Sequence, residues 1–156
     1  MPQNLDRLDR QLLEALQGNA RLTVAELAER VALSPSSCWR RIKQLEEAGY
    51  IEGYSARLSS ARLGFGVVAF VWLMVGNHEK SVTRAFEARL IEIPEVLACH
   101  NVSGRYDFLL EVVAPDLQAF GAFTRDVLQT LPGVKEIQSN FSLKAVKSAR
   151  TLPIPG

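Results

Sequence analysis

Two groups of residues in this sequence have the types and the spacing to do chemistry. The first is Arg40-Arg41-x-Lys43, preceded by the hydroxyls of Ser36 and Ser37 and followed by the amide of Gln44. A guanidinium bonds bidentately to a guanine edge or clamps a phosphate, whereas an ammonium acts as a point charge. Hydroxyls and free N–H groups at the start of a helix suit a phosphate oxygen. On an ordinary helix the same cations would be a solvated face and nothing more. The second group is Ser103-Gly104-Arg105-Tyr106-Asp107. Taken alone it reads as a tight hairpin in which Gly104 supplies a positive φ and Asp107 is simply polar.

Other chemistry finds little footing. His78 and His100 are the two histidines, and neither has the spacing of a metal ligand or of a base beside a nucleophile. Asn77-His-Glu-Lys80 is not an HExxH zinc motif, and Gly64-Phe-Gly66 lacks the rest of a phosphate loop. No enzyme activity, metal or cofactor is expected. His100 reads as a sheet-face or interface residue ahead of a ligand contact. Cys38 and Cys99 are far apart and outside any CxxC, so reduced, cytoplasmic thiols are the expectation.

The cations must be positioned by helices. Leu5, Leu8, Leu12 and Leu16 fall on one face of a first helix, with Gly18 as its stop. Thr23 and Glu26 form a capping box at the start of a short second helix, about residues 24–31. Ser34-Pro35 is an N-cap followed by proline at the first helical position, and Gly49 ends the third helix. The brief link Ala32-Leu33-Ser34 makes the last two a helix-turn-helix. On a wheel of the third helix Cys38, Ile42 and Leu45 share the core face, while Ser36, Arg40, Lys43 and Glu47 lie opposite. Arg41 and Trp39 take the two flanks. Trp39 reads either as packing at the domain edge or as a wedge against bases. On the second helix of a helix-turn-helix, that outer face is the one that enters the major groove.

The hairpin must be positioned by a sheet. Tyr50–Leu58 reads as a strand, and residues 59–62 as the hinge between two domains, 1–60 and 61–156. Beyond the hinge, strand, helix and strand occur twice: about 67–76, 80–92 and 96–103, then 106–113, 116–131 and 134–143. The helices end alike, at Ile93-Pro-Glu-Val and Leu131-Pro-Gly-Val, 38 residues apart. Proline there forbids continuation. Asp116 caps the second of these helices, whose inward face reads as Leu117, Phe120, Val127, Leu128 and Leu131. Two such units in series describe a ferredoxin-like βαββαβ domain with its first and third strands central.

The chain has 156 residues, 47% hydrophobic and 22% charged, enough for one ordinary domain or two small ones with a real core. Its net charge of +1 argues at first against nucleic acid as a partner. Residues 1–60 are also neutral in sum, with eight cations and eight acids, but the cations gather on the outer face of the third helix. The start MPQNLDRLDR lacks the apolar core of a signal peptide. Leu63–Gly76 is apolar over 14 residues, too short to span a membrane, and reads as a buried strand.

At LDRLDRQLLEALQGNAR, LSPSSCWRRIKQLEEAGYIEGY, VSGRYDFLLEV and LPGVKEI the sequence resembles the Lrp/AsnC (feast/famine) family of bacterial and archaeal transcription regulators. The resemblance covers nearly the whole chain, in the family's order and spacing. It implies an α+β architecture: an N-terminal winged-type helix-turn-helix and a ferredoxin-like domain that dimerises and binds amino acids. CWRRIK and the ending TLPI look like a subgroup with cysteine-responsive and amino-acid-catabolism regulators. Many members have glycine where this chain has Ala32; a left-handed alanine there costs ~1 kcal/mol.

In that family the loop matching Ser103–Asp107 lines an amino-acid pocket between neighbouring dimers. A free amino acid needs an acceptor for its ammonium, which Asp107 offers, and donors for its carboxylate, which N–H groups around Gly104 and Arg105 offer. Tyr106 is then a wall, and Glu136–Ser139, Gln138 among them, the second wall. The expected partners are double-stranded DNA, a free amino acid and further copies of the chain as dimers and octamers, with no membrane. An amino-acid sensor or assembly module without specific DNA binding is the alternative.

Overall fold

The structure is a computed structural model and describes residues 5–76, 79–147 and 151–155. Asn77 and His78 lie outside the described residues. The chain divides into two units, residues 1–57 with 147–156, and residues 58–146. The first unit thus includes the end of the chain.

The first unit is built of α1 (Arg7–Gly18), α2 (Val24–Arg30) and α3 (Pro35–Glu47). Each start is fixed by a side chain that satisfies an orphan N–H. Asp6 and Asp9 form a reciprocal capping box on α1. Thr23 and Glu26 do the same for α2, and Ser34 accepts from the Ser37 N–H on α3. Leu12, Leu27, Val31, Cys38, Ile42 and Leu45 close into one buried core. The turn between α2 and α3 places Ala32 at φ 53°, the left-handed region expected of glycine. Gly49 follows α3 with φ 76°. Residues 51–59 carry no strand, which corrects the strand expected over Tyr50–Leu58. Among the described residues no strand pairs with them, and an isolated strand has no ladder to stabilise it.

The second unit holds β1 (Val67–Val75), α4 (Lys80–Ile91), β2 (Val96–Asn101), β3 (Phe108–Ala114), α5 (Leu117–Asp126) and β4 (Val134–Phe141). The strands form one antiparallel sheet in the order β2-β3-β1-β4, so the first and third are central. Alternation sends Ala69, Val71, Leu73 and Val75 of β1 into a core with Phe86 and Leu90 of α4, Phe120 of α5 and Leu128. Phe70, Trp72 and Met74 take the opposite face. Leu117 is 62% exposed, against the expected inward position. The inward stripe of α5 centres on Phe120 and Phe123, which puts Leu117 about a quarter-turn away. Beyond Asp126 the chain tightens into a 3-10 turn, so one wheel does not run from 117 to 131.

Candidate DNA-binding and effector sites

On α3 the polar residues singled out from sequence differ in state. Arg41 is engaged. Its guanidinium lies 2.7 Å from Asp6 Oδ2 and 2.7 Å from Asp9 Oδ1. Asp6 Oδ1 accepts from the Asp9 N–H and Asp9 Oδ2 from the Asp6 N–H, so all four oxygens of the capping box are used. The box thus starts α1 and anchors α3 together. The Asp6 carboxyl is held below its ordinary range, first by the Asp9 N–H and then by Arg41. Lys43 is paired with Glu46 at 2.8 Å, and Glu46 also accepts from the Tyr54 hydroxyl at 3.0 Å. Arg40 is exposed and makes no ion pair or hydrogen bond among the described residues. Gln44 and Ser36 are exposed beside it, and Trp39 is 54% exposed. Ser34, Ser36 and Ser37 form a hydroxyl cluster at the helix start, with Ser34 donating to Ser37 at 2.9 Å. Cys38 is buried, and burial pushes its thiol up, as suits a small core residue.

The hairpin between β2 and β3 carries the second group. Gly104 sits at φ 125°, closed to other residues without strain, and the Val102 N–H donates to the Asp107 carbonyl at 2.9 Å. The Asp107 N–H donates to Leu73, which keeps β3 beside β1. Past Leu73, β3 has turned away. There the Asp107 carboxylate stands in for the missing strand: its Oδ2 accepts from the Val75 N–H at 2.7 Å. Its other oxygen has no partner among the described residues.

Arg105 and Tyr106 reach β4. Arg105 lies 2.8 Å from Glu136 Oε1, and the Tyr106 hydroxyl donates to the same oxygen at 2.9 Å. That hydroxyl also bonds to Gln138; its single proton serves one acceptor at a time. Arg105 stacks over the Tyr106 ring at 5.2 Å, and Trp72 flanks that ring with centroids 6.0 Å apart. The β1–β4 register explains the grouping: Gln138 faces Trp72 and Glu136 faces Met74, so both point to the sheet face that α4 and α5 leave open. Glu136 is held below the ordinary carboxylate range by the Tyr106 hydroxyl first, then by Arg105. Burial and Glu136 push the Tyr106 hydroxyl up. Glu136 opens the wall expected over Glu136–Ser139, but its bonds to Arg105 and Tyr106 were not foreseen. Its two-residue spacing from Gln138 on one strand was the available signal. Ser103 is exposed at the tip and His100 lies opposite Leu109.

A capped helix-turn-helix followed in the chain by a βαββαβ sheet defines a DNA-binding unit and a ligand-binding one. Comparison agrees. Residues 5–52 match a winged helix-turn-helix DNA-binding family, and residues 68–152 match the Lrp/AsnC ligand binding domain. The chain is 38% identical to the Bkd operon transcriptional regulator of Pseudomonas aeruginosa over 96% of this chain and 98% of the relative. It is 35% identical to the leucine-responsive regulatory protein of Salmonella typhimurium, over 97% and 92%. Among solved structures, an L-Met complex of a transcriptional regulator from Neisseria meningitidis superposes with a TM-score of 0.92 at 43% identity, over 96% of this chain and 97% of that one. The chain belongs to the Lrp/AsnC family and is a DNA-binding transcriptional regulator. Among the described residues no helix is long and apolar enough to cross a membrane.

Proposed function

We propose that this regulator binds operator DNA through α3 and that a free amino acid, held at the hairpin between β2 and β3, adjusts that binding. One observation carries the reading: Arg40 is exposed and unpaired on the outer face of a capped helix in a helix-turn-helix, while its neighbours Arg41 and Lys43 are already engaged. Arg40 then reads a base edge or grips a phosphate, with Gln44 beside it. Ser36 and Ser37 take a phosphate at the helix start. Lys43 contributes once DNA phosphates compete for it with Glu46. Arg41 acts by holding α3 in place.

At the hairpin, the unpartnered oxygen of Asp107 and the carboxylate of Glu136 receive the ammonium. N–H groups around Ser103, Gly104 and Arg105 receive the carboxylate, and Trp72, Tyr106 and Gln138 form walls. The relatives named for leucine and solved with L-Met favour an apolar side chain on the ligand. Phe70, Trp72, Met74 and Leu109 on the open sheet face suit a second copy of the chain, making a dimer that assembles further to octamers. Such a dimer presents two α3 helices to half-sites ~10 bp apart. It works in the cytoplasm as a regulator and not as an enzyme.

The test is a thermal-shift screen of the twenty amino acids, because a ligand that prefers the native state raises the melting temperature. It is paired with a gel shift on DNA upstream of the protein's own gene. One or a few apolar amino acids raise the melting temperature, and a salt-sensitive band forms. No shift with any amino acid, or no band at low salt, overturns the corresponding half.

A further inference from the structure

The ending TLPI, set aside by the functional reading, is where the chain does something that neither site explains. Residues 147–156 belong to the first unit, although the preceding strand β4 belongs to the second. Two contacts hold them there. The Gln17 side chain, in the last turn of α1, donates from Nε2 to the Leu152 carbonyl at 3.1 Å and accepts from the Leu152 N–H at Oε1, 2.7 Å. A primary amide thus offers this segment the donor–acceptor pair that a neighbouring strand would offer. Ile154 then packs, half-buried, against the core that contains Leu12, Leu27 and Cys38. Pro153 and Pro155 flank it. Proline fixes φ and lacks an N–H, so this stretch is held extended, enters neither helix nor sheet, and loses little freedom on docking.

We infer that residues 151–155 are a strap: the polypeptide leaving the effector-binding sheet is fastened to α1 by the Gln17 clamp and the Ile154 knob, and this fastening carries the effector's influence to the DNA-binding unit. The first unit is then tied to the second at two places in the chain, before residue 58 and after residue 146, rather than by the linker alone. The inference rests on the proposed amino-acid response, but its first readout does not. Leu152, 74% exposed, contributes backbone only, so its side chain serves as an internal control.

The experiment uses the full chain as wild type, Ile154→Asp, Gln17→Ala and Leu152→Ser. Hydrogen exchange reads the amides of α1, and operator affinity is measured with and without the amino acid that most raises the melting temperature. In Ile154→Asp and Gln17→Ala the α1 amides exchange about ten-fold faster or more, while Leu152→Ser matches wild type. The ratio of operator affinities with and without amino acid falls toward one in the two strap variants, with amino-acid affinity itself unchanged. Wild-type exchange in both strap variants overturns the strap. Faster exchange with an unchanged ratio overturns its role as the coupling. If wild type shows no ratio at all, the proposed amino-acid response fails, and the strap is judged on exchange alone.

Discussion

The outer face of α3 and the hairpin face of the sheet carry similar side chains in opposite states. On α3 one arginine is left open while its neighbour is consumed by the capping box of another helix. At the hairpin the arginine, the tyrosine and Glu136 are already bonded to one another, and Asp107 spends one oxygen on the Val75 N–H. An open cation suits a large, highly charged partner that meets it by long-range attraction. A closed polar cluster suits a small ligand, which must exchange partners with groups already held in place. The difference lies in what surrounds each residue, not in residue type.

The largest effect is expected at the hairpin. Asp107→Ala removes calorimetric amino-acid binding and also leaves the Val75 N–H without its acceptor, costing about 1–3 kcal/mol in denaturant unfolding. Asp107→Asn keeps an acceptor for Val75 but not the charge. It recovers most of the stability and little of the binding. Full binding by the asparagine variant would mean that the carboxylate is structural only.

On α3 the two arginines should separate cleanly. Arg40→Ala weakens operator binding by ~1–3 kcal/mol if it makes a bidentate base contact, with the melting temperature unchanged. Arg41→Ala loses about 1–2 kcal/mol of folding stability through its two charge-assisted bonds. It weakens specific and non-specific DNA alike, because the helix shifts as a whole. Equal melting temperatures for the two variants would dissolve the distinction between reader and brace.

The capping box has a pH signature. Asp6 has a depressed carboxyl pKa in the folded state, so its contribution is present above the unfolded value and is lost as pH falls through the folded one. Acid titration below about pH 4 should therefore loosen the α1–α3 contact, read by the exchange of α1 amides. Asp6→Asn should remove that pH dependence. The smallest effect is at the turn, where Ala32→Gly relieves a left-handed alanine but gains unfolded-state entropy, for a net stabilisation of ~1 kcal/mol or less.

How much of this was legible in the sequence follows the range of the interactions. The Thr23–Glu26 box, the Ser34-Pro35 start and the Cys38–Ile42–Leu45 face are set within one or two helical turns, and all three appear as read. The repeated Pro after each helix of the second half marked the βαββαβ order with β1 and β3 central. The pairing of Arg41 with residues 32 and 35 positions earlier was not legible. Helical spacing places Arg41 on a flank but says nothing of the helix that flank meets. Asp6-x-x-Asp9 was a visible box that went unread. The strand expected over 50–58 had apolar and aromatic residues suited to one, but lacked a partner strand among the described residues. The docking of Ile154 spans nearly the whole chain, beyond any local pattern.

The central claim is that an amino acid at the hairpin changes how α3 holds DNA. The most direct measurement is fluorescence anisotropy of labelled upstream DNA, titrated with the full-length wild-type protein with and without the amino acid found in the thermal screen. The account predicts a shift in Kd of about five-fold or more, the lower end of an allosteric coupling. Superimposable titrations at saturating amino acid would contradict it.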